Sequence, residues 1–278
     1  MIDVDARRIV AKAAALGLTH SCASPSRPHL GMQFITAGHL VMSRYRIKRH
    51  DWQYFSRQTT IESFLCSRGS MYVELQMPDG SPLHLGACHT TSGTDVVIEA
   101  LHLQHTRLHC GGNPTALLQV QEWAQQVSEQ VARSAVSGER NLLPALATQS
   151  SKPIVIMCGD LNITPHDRTE YLGVCKALAA VSSGGGGGNG GGGSGSRLSS
   201  QLRDVFDGTW EPTFGMSETD ERLLTQTADV NAQKTVDYIF ATHAPEHTAV
   251  DAMRATPLVR DYYQQVSDHC ALIARWSW

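Results

Sequence analysis

Residues 154–162 read IVIMCGDLN, and such a run leaves few ways to build the molecule around it. Four apolar residues and a cysteine follow one another without the alternation of a half-exposed strand, which predicts a strand buried on both faces. Such a strand sits inside a sheet with a packed layer on either side. The polarity then breaks at Gly159, Asp160, Leu161 and Asn162, and Pro165 turns the chain. Alternation aims Asp160 and Asn162 to one side and Leu161 to the other. A carboxylate and a carboxamide aimed at one spot can orient a water and hold an anionic oxygen. Asp, Asn and Gly are also turn formers, so the spacing alone leaves both readings open.

The rest of the chain supplies the layers. MIDVDARRIVAKAAALG predicts an opening helix capped by Asp3 or Asp5, with an apolar face of Ile9, Val10, Ala13, Ala14 and Leu16, ended by Gly17. Strand signals follow at 38–47, 69–77 and 83–89, the last two joined by the turn Pro78-Asp79-Gly80. Asn113-Pro114 starts a helix that continues through LLQVQEWAQQVSEQVARSA. A helical segment around 167–180 and strands at 235–243 and 269–278 complete the pattern, which is α+β or layered α/β. Residues 184–193 are glycine apart from Asn189, a composition that reads as a flexible surface loop rather than a phosphate cradle. Nothing else resembles a linker. The expectation is one domain over 1–278 with a disordered Gly-rich insertion at about 182–198.

Bulk properties narrow the function classes. Hydrophobic content of 41% and charged content of 18% are ordinary for a globular chain. Net charge is −3 and the pI about 6.5, which disfavours a protein that wraps nucleic acid, though not an enzyme with a local basic patch. The seven cysteines form no C-x-x-C pair, and Cys66, Cys88, Cys158 and Cys270 lie in or beside apolar runs, so they read as reduced and structural. No apolar run reaches transmembrane length. The start does not read as a secretory signal, so the compartment expected is cytoplasmic or peripheral to a membrane.

Several residues could carry chemistry. His89 stands where the strand LHLGAC gives out into TTSGTD, a place suited to proton transfer or to a satisfied strand-end histidine. Asp237 is a carboxylate within the apolar TVDYIF, needing a partner such as a histidine or a backbone donor. Ser267-Asp268-His269 precedes the apolar CALIARW, where one group can hold a metal and the other move a proton. His102, His105 and His109 have helical spacing, which fits a metal site but favours a solvated face. RYRIKRHDWQYF at 44–55 can flank an anionic substrate or form a strand with an exposed cationic face.

In this order, LVMSRY (40–45), CHTTSG (88–93), CGDLN (158–162), VDYIF (236–240) and SDH (267–269) resemble the endonuclease/exonuclease/phosphatase superfamily. Within it, CGDLN, the strand start SRGSMYVEL with Arg68 for lysine, and the helix LLQVQEW look most similar to neutral sphingomyelinases. The resemblance implies a four-layer α/β/β/α sandwich, two packed mixed sheets flanked by helices. It implies a Mg2+-dependent phosphodiesterase releasing ceramide and phosphocholine from sphingomyelin or a related phospholipid at a membrane surface. Asp160 and Asn162 would orient the water and the phosphate, and His269 would act as base, oriented by Asp237. His89 would bind phosphate or serve as acid, Asp268 would ligate the metal, and Arg44 and Arg68 would bind substrate. Nucleic acid is the less favoured substrate; a nuclease or phosphatase is the alternative.

The pattern also departs from the family. Its first strand, with an asparagine, and a second ending in a Gln-Glu metal ligand have no counterpart here. Gln121-Glu122 lies within a predicted helix, and Thr235 stands where an arginine is usual. The expectation is a chain lacking that first unit through truncation, with a non-catalytic member as the alternative.

Overall fold

A computed structural model describes residues 2–25, 38–59, 68–91, 113–139, 153–182, 202–206, 213, 234–242, 250–251 and 272–276. The opening helix α1 (Ile2–Ala15) starts ahead of Asp3 and Asp5, so both lie inside its first turns rather than at the cap. Gly17, at φ 89°, ends it, and the Gly17 and Leu18 N–H groups bond back to Ala14 and Ala13. Strands β1 (His20–Ala23) and β2 (Leu40–Ser43) then pair antiparallel. The strand signal at 38–47 therefore divides. Ser43 Oγ accepts the Tyr45 N–H in a turn, and the chain resumes as β3 (Arg46–Tyr54).

The main sheet adds β4 (Gly69–Gln76), β5 (Pro82–His89), β6 (Ile154–Asp160), β7 (Arg203–Asp204) and β8 (Asp237–Ala241) in the order β3-β4-β5-β6-β8-β7. Among the described strands, only β5 and β6 pair parallel; the other pairings are antiparallel. A parallel neighbour needs a long crossover, and that connection carries helix α2 (Pro114–Glu139). Helix α3 (Arg168–Ser182) follows β6, and β9 (Val250–Asp251) pairs with β10 (Ile273–Ala274). The β4–β5 turn is the predicted one: Gly80 sits at φ 85°, and Asp79 Oδ1 accepts the Ser81 N–H and hydroxyl.

One face of the main sheet packs against helices. Tyr72, Cys88, Val155, Met157, Tyr238 and Phe240 meet Ala116, Val120, Trp123 and Val127 of α2 and Val174 and Leu178 of α3. Trp123 is fully buried, and Gly86 makes room for it, since a Cβ there would lie 2.9 Å from the indole nitrogen. The other face carries Met71, Val73, Leu75, Ile156 and Ala241, covered by Cys22 of β1, Val41 of β2 and Trp276. Helix α1 lies on β2 in turn. Helices, sheet, strand pair and helix thus stack as the expected α/β/β/α sandwich.

A polar knot sits on the helix face near the β3 edge. Tyr72 Oη and His84 Nδ1 are 2.7 Å apart, and Arg49 and Lys48 each approach Glu74 at 3.3 Å. Arg49 also covers the Tyr72 ring at 5.5 Å and donates to the Gln130 carbonyl of α2. Burial lowers the His84 imidazole to about 4 and raises the Tyr72 phenol to about 12.

Candidate active site

The sheet register builds the site. Asp160, last in β6, lies opposite His89, last in β5, and opposite Asp237, first in β8. Gly69 and Tyr54 continue the same row across β4 and β3. Because register partners share a face, His89, Asp160 and Asp237 project on the side away from α2 and α3, at one end of the sandwich. Parallel and antiparallel neighbours thus deliver a histidine and two carboxylates from three separate stretches of sequence.

Gly159 lets β6 reach that row. A Cβ on it would come within 2.0 Å of the Cys88 carbonyl oxygen, so glycine is required by the close approach of β5. Past Asp160 the chain leaves the strand. Asn162 adopts φ 48°, a left-handed conformation asparagine tolerates, and donates its N–H to Asp160 Oδ1 at 2.9 Å. The carboxamide donates to the Thr90 carbonyl at 3.1 Å. So Asp160 and Asn162 are brought together by an Asx turn rather than by strand alternation, while Leu161 turns into the helix-side core as expected. The turn reading is realised in this loop.

Asp160 Oδ2 faces His89 Nε2 at 3.3 Å, with the His89 side chain 37% exposed and that of Asp160 12% exposed. A sheltered carboxylate beside a more open imidazole can hold the ring in one orientation while its far side meets substrate. The Asp237 N–H donates to Thr213 Oγ1 at 3.2 Å, which ties the start of β8 to a neighbouring segment.

Arg68 directly precedes Gly69 and therefore stands at this end of the sheet, its carbonyl accepting the Phe55 N–H. His39 lies nearby, its ring 5.1 Å from that of Trp52. Burial drives the His39 imidazole down to about 4, opposed by its bond to the Cys88 backbone and aided by the Arg68 charge. Arg44 is not brought here. It lies exposed in the turn before Arg46, while the site is level with Tyr54, so the length of β3, roughly 25 Å, separates them. His269 and Asp268 lie outside the described residues, as do His102, His105, His109 and the Gly-rich stretch.

Comparison with known proteins fits this geometry. The model of the Endonuclease/Exonuclease/phosphatase family matches residues 3–269. The chain belongs to that family. Its function is accordingly of the phosphodiesterase, nuclease or phosphatase type. Among solved structures it is similar to a double mutant of beta toxin from Staphylococcus aureus with bound magnesium ions. There the TM-score is 0.55 at 16% identity, over 96% of this chain and 81% of that one. Sphingomyelinase C from Streptomyces griseocarneus gives a TM-score of 0.54 at 14% identity, over 96% of this chain and 80% of that one. At such identities the likeness concerns the fold. No curated protein sequence matches.

Enzymes of the endonuclease/exonuclease/phosphatase family generally depend on divalent metals. Asp160 offers the hard oxygen donors such ions prefer. Among the described residues, however, no three His, Cys, Asp or Glu side chains converge as a metal site. The described residues alone therefore make no complete site for the ion. All four described cysteines are free thiols, as expected, and burial pushes that of Cys158 up to about 11.

Proposed function

We propose that this family member is a magnesium-dependent phosphodiesterase, one catalytic domain over 1–278, that hydrolyses sphingomyelin or a related phospholipid to ceramide and phosphocholine. The observation that carries the reading is the row of His89, Asp160 and Asp237 across three adjacent strands, continued by Asn162 and flanked by Arg68. In this reading Asn162 and Asp160 orient the attacking water and the phosphate, and Arg68 draws the anionic group to the row. His89 gives a proton to the leaving alkoxide, its ring held by Asp160. His269 takes the proton of the water, oriented by Asp237, and Asp268 serves as a metal ligand.

The lipid substrate is supported by CGDLN, by the acidic pI and by the fold shared with a sphingomyelinase C. No described helix is long and apolar enough to cross a membrane, so contact with a lipid surface would use loops. The test is release of phosphocholine from sphingomyelin micelles, with magnesium and with a chelator. Turnover that stops on chelation supports the reading. Hydrolysis of DNA, RNA or a phosphomonoester with none of sphingomyelin would move the chain to the nuclease or phosphatase branch. No turnover of any of these by folded protein would favour a binding role.

A further inference from the structure

The two residues that follow His89 are held at every backbone polar group the chain offers. Thr90 donates its N–H to the Asp160 carbonyl at 3.0 Å and its hydroxyl to the Leu161 carbonyl at 2.5 Å, and its own carbonyl accepts from Asn162. Thr91 is held from the opposite direction, by helix α2. Its N–H donates to Gln119 Oε1 at 2.7 Å, and its carbonyl accepts from Asn113 Nδ2 at 2.7 Å. Asn113 also caps the helix, its Oδ1 accepting the Ala116 N–H.

Gln119 reaches further. Its Nε2 donates to the Arg57 carbonyl at 2.6 Å, three positions beyond Tyr54, where β3 leaves the site end. One fully buried carboxamide therefore ties the exits of β5 and β3 together. The next turn of α2 repeats the grip less deeply, with Glu122 accepting the Ser56 N–H and hydroxyl at 2.8 and 2.6 Å. A core glutamine with an apolar alternative of similar volume is costly unless both ends of its amide are used, and here both are.

We propose that Gln119 is a positioning residue for hydrolysis: by clamping Thr91 to Arg57 it fixes where His89 stands relative to Asp160. This rests on the reading that His89 takes part in the reaction. Gln119 acts through its bonds to Thr91 and Arg57, so its effect is on geometry, and geometry is read in turnover rather than in binding.

Three variants of the full chain test this: Gln119→Leu, Gln119→Glu and Val127→Ala. Val127 is a fully buried α2 residue on the helix-side core, so its truncation loosens α2 without touching the clamp. Each is assayed for kcat and KM on sphingomyelin, and the His89 imidazole is titrated by NMR on histidine-labelled protein. Expected for Gln119→Leu is a kcat lower by about 10- to 100-fold with KM changed less than about twofold. Its His89 titration should be displaced from wild type, while Val127→Ala matches wild type in both. Gln119→Glu should recover relative to wild type as pH falls, because a protonated carboxyl can again donate to the Arg57 carbonyl. Identical kcat and superimposable His89 titrations for Gln119→Leu and Val127→Ala overturn the proposal. If Gln119→Leu does not fold, a Gln119→Glu to wild-type ratio that is flat with pH overturns it equally. If wild type turns over no sphingomyelin, the substrate reading fails, and the His89 titrations still decide the role of Gln119.

Discussion

Asp160 divides its carboxylate between two tasks, one oxygen accepting the Asn162 N–H and the other facing His89. The two can be separated by mutation. Asp160→Asn keeps an oxygen for the turn and removes the charge, so turnover should fall by about 100-fold or more while the melting temperature stays within about 2 °C. Activity assay beside a thermal melt reads both. His269→Ala, on the reading given above, should abolish hydrolysis with the melting temperature nearly unchanged; near-wild-type turnover would remove His269 from the mechanism. The places of His89 and Asp160 were legible in sequence, since both stand where apolar strands give out. Arg44 was not, because a cationic residue in an aromatic-rich run says nothing about which end of a strand it occupies; the direction of β3 decided that. Gln119 was hidden for another reason. A glutamine in an amphipathic helix looks like surface until the neighbouring loops are known to end beside it.

At the scale of elements, the fit between neighbours turns on two glycines. Gly159→Ala would drive a methyl into the Cys88 carbonyl, a backbone group that cannot rotate away, and should cost about 3 kcal/mol or more in urea unfolding. Trp123→Ala, which empties the space above Gly86, should cost about 3–5 kcal/mol by the same measurement. Strong periodicity and turn chemistry announced β4, β5 and β6 within a residue or two. They also announced the existence of α1 and α2, with α1 starting ahead of the expected caps and α2 running four residues past Ala135. The split between β2 and β3 went unread because LVMSRYRI continues the strand-like character through a turn made by Ser43. Strands as short as β7 and β9 carry too few residues for any pattern to register, and partners elsewhere in the chain make them strands, whereas β10 falls within the strand run expected at 269–278.

At the scale of the whole molecule, the mixed elements and the doubly buried β6 made a layered α/β class legible. The order of the layers came only with the resemblance carried by five ordered motifs, whereas the site depended on register, which no local pattern fixes. Stability should follow the buried histidines. His84 is held near 4 when folded, against about 6.5 in an unfolded chain, so between those values the unfolded state binds the extra proton. Its contribution is complete above about pH 6.5 and is lost as pH falls toward 4. From pH 7 to 5, urea unfolding should show a loss on the order of 1–2 kcal/mol that His84→Gln removes.

The parallel pairing of β5 and β6 also has a consequence for the chain as it is made. His89 and its strand emerge from the ribosome well before the partner that will cover them, with α2 and its connections synthesised in between. Until residue 160 is out, β5 presents an apolar open edge in what will become the middle of the sheet. The row of His89, Asp160 and Asp237 cannot exist during that interval, and the exposed edge is a place where a nascent chain is prone to pair with another copy of itself.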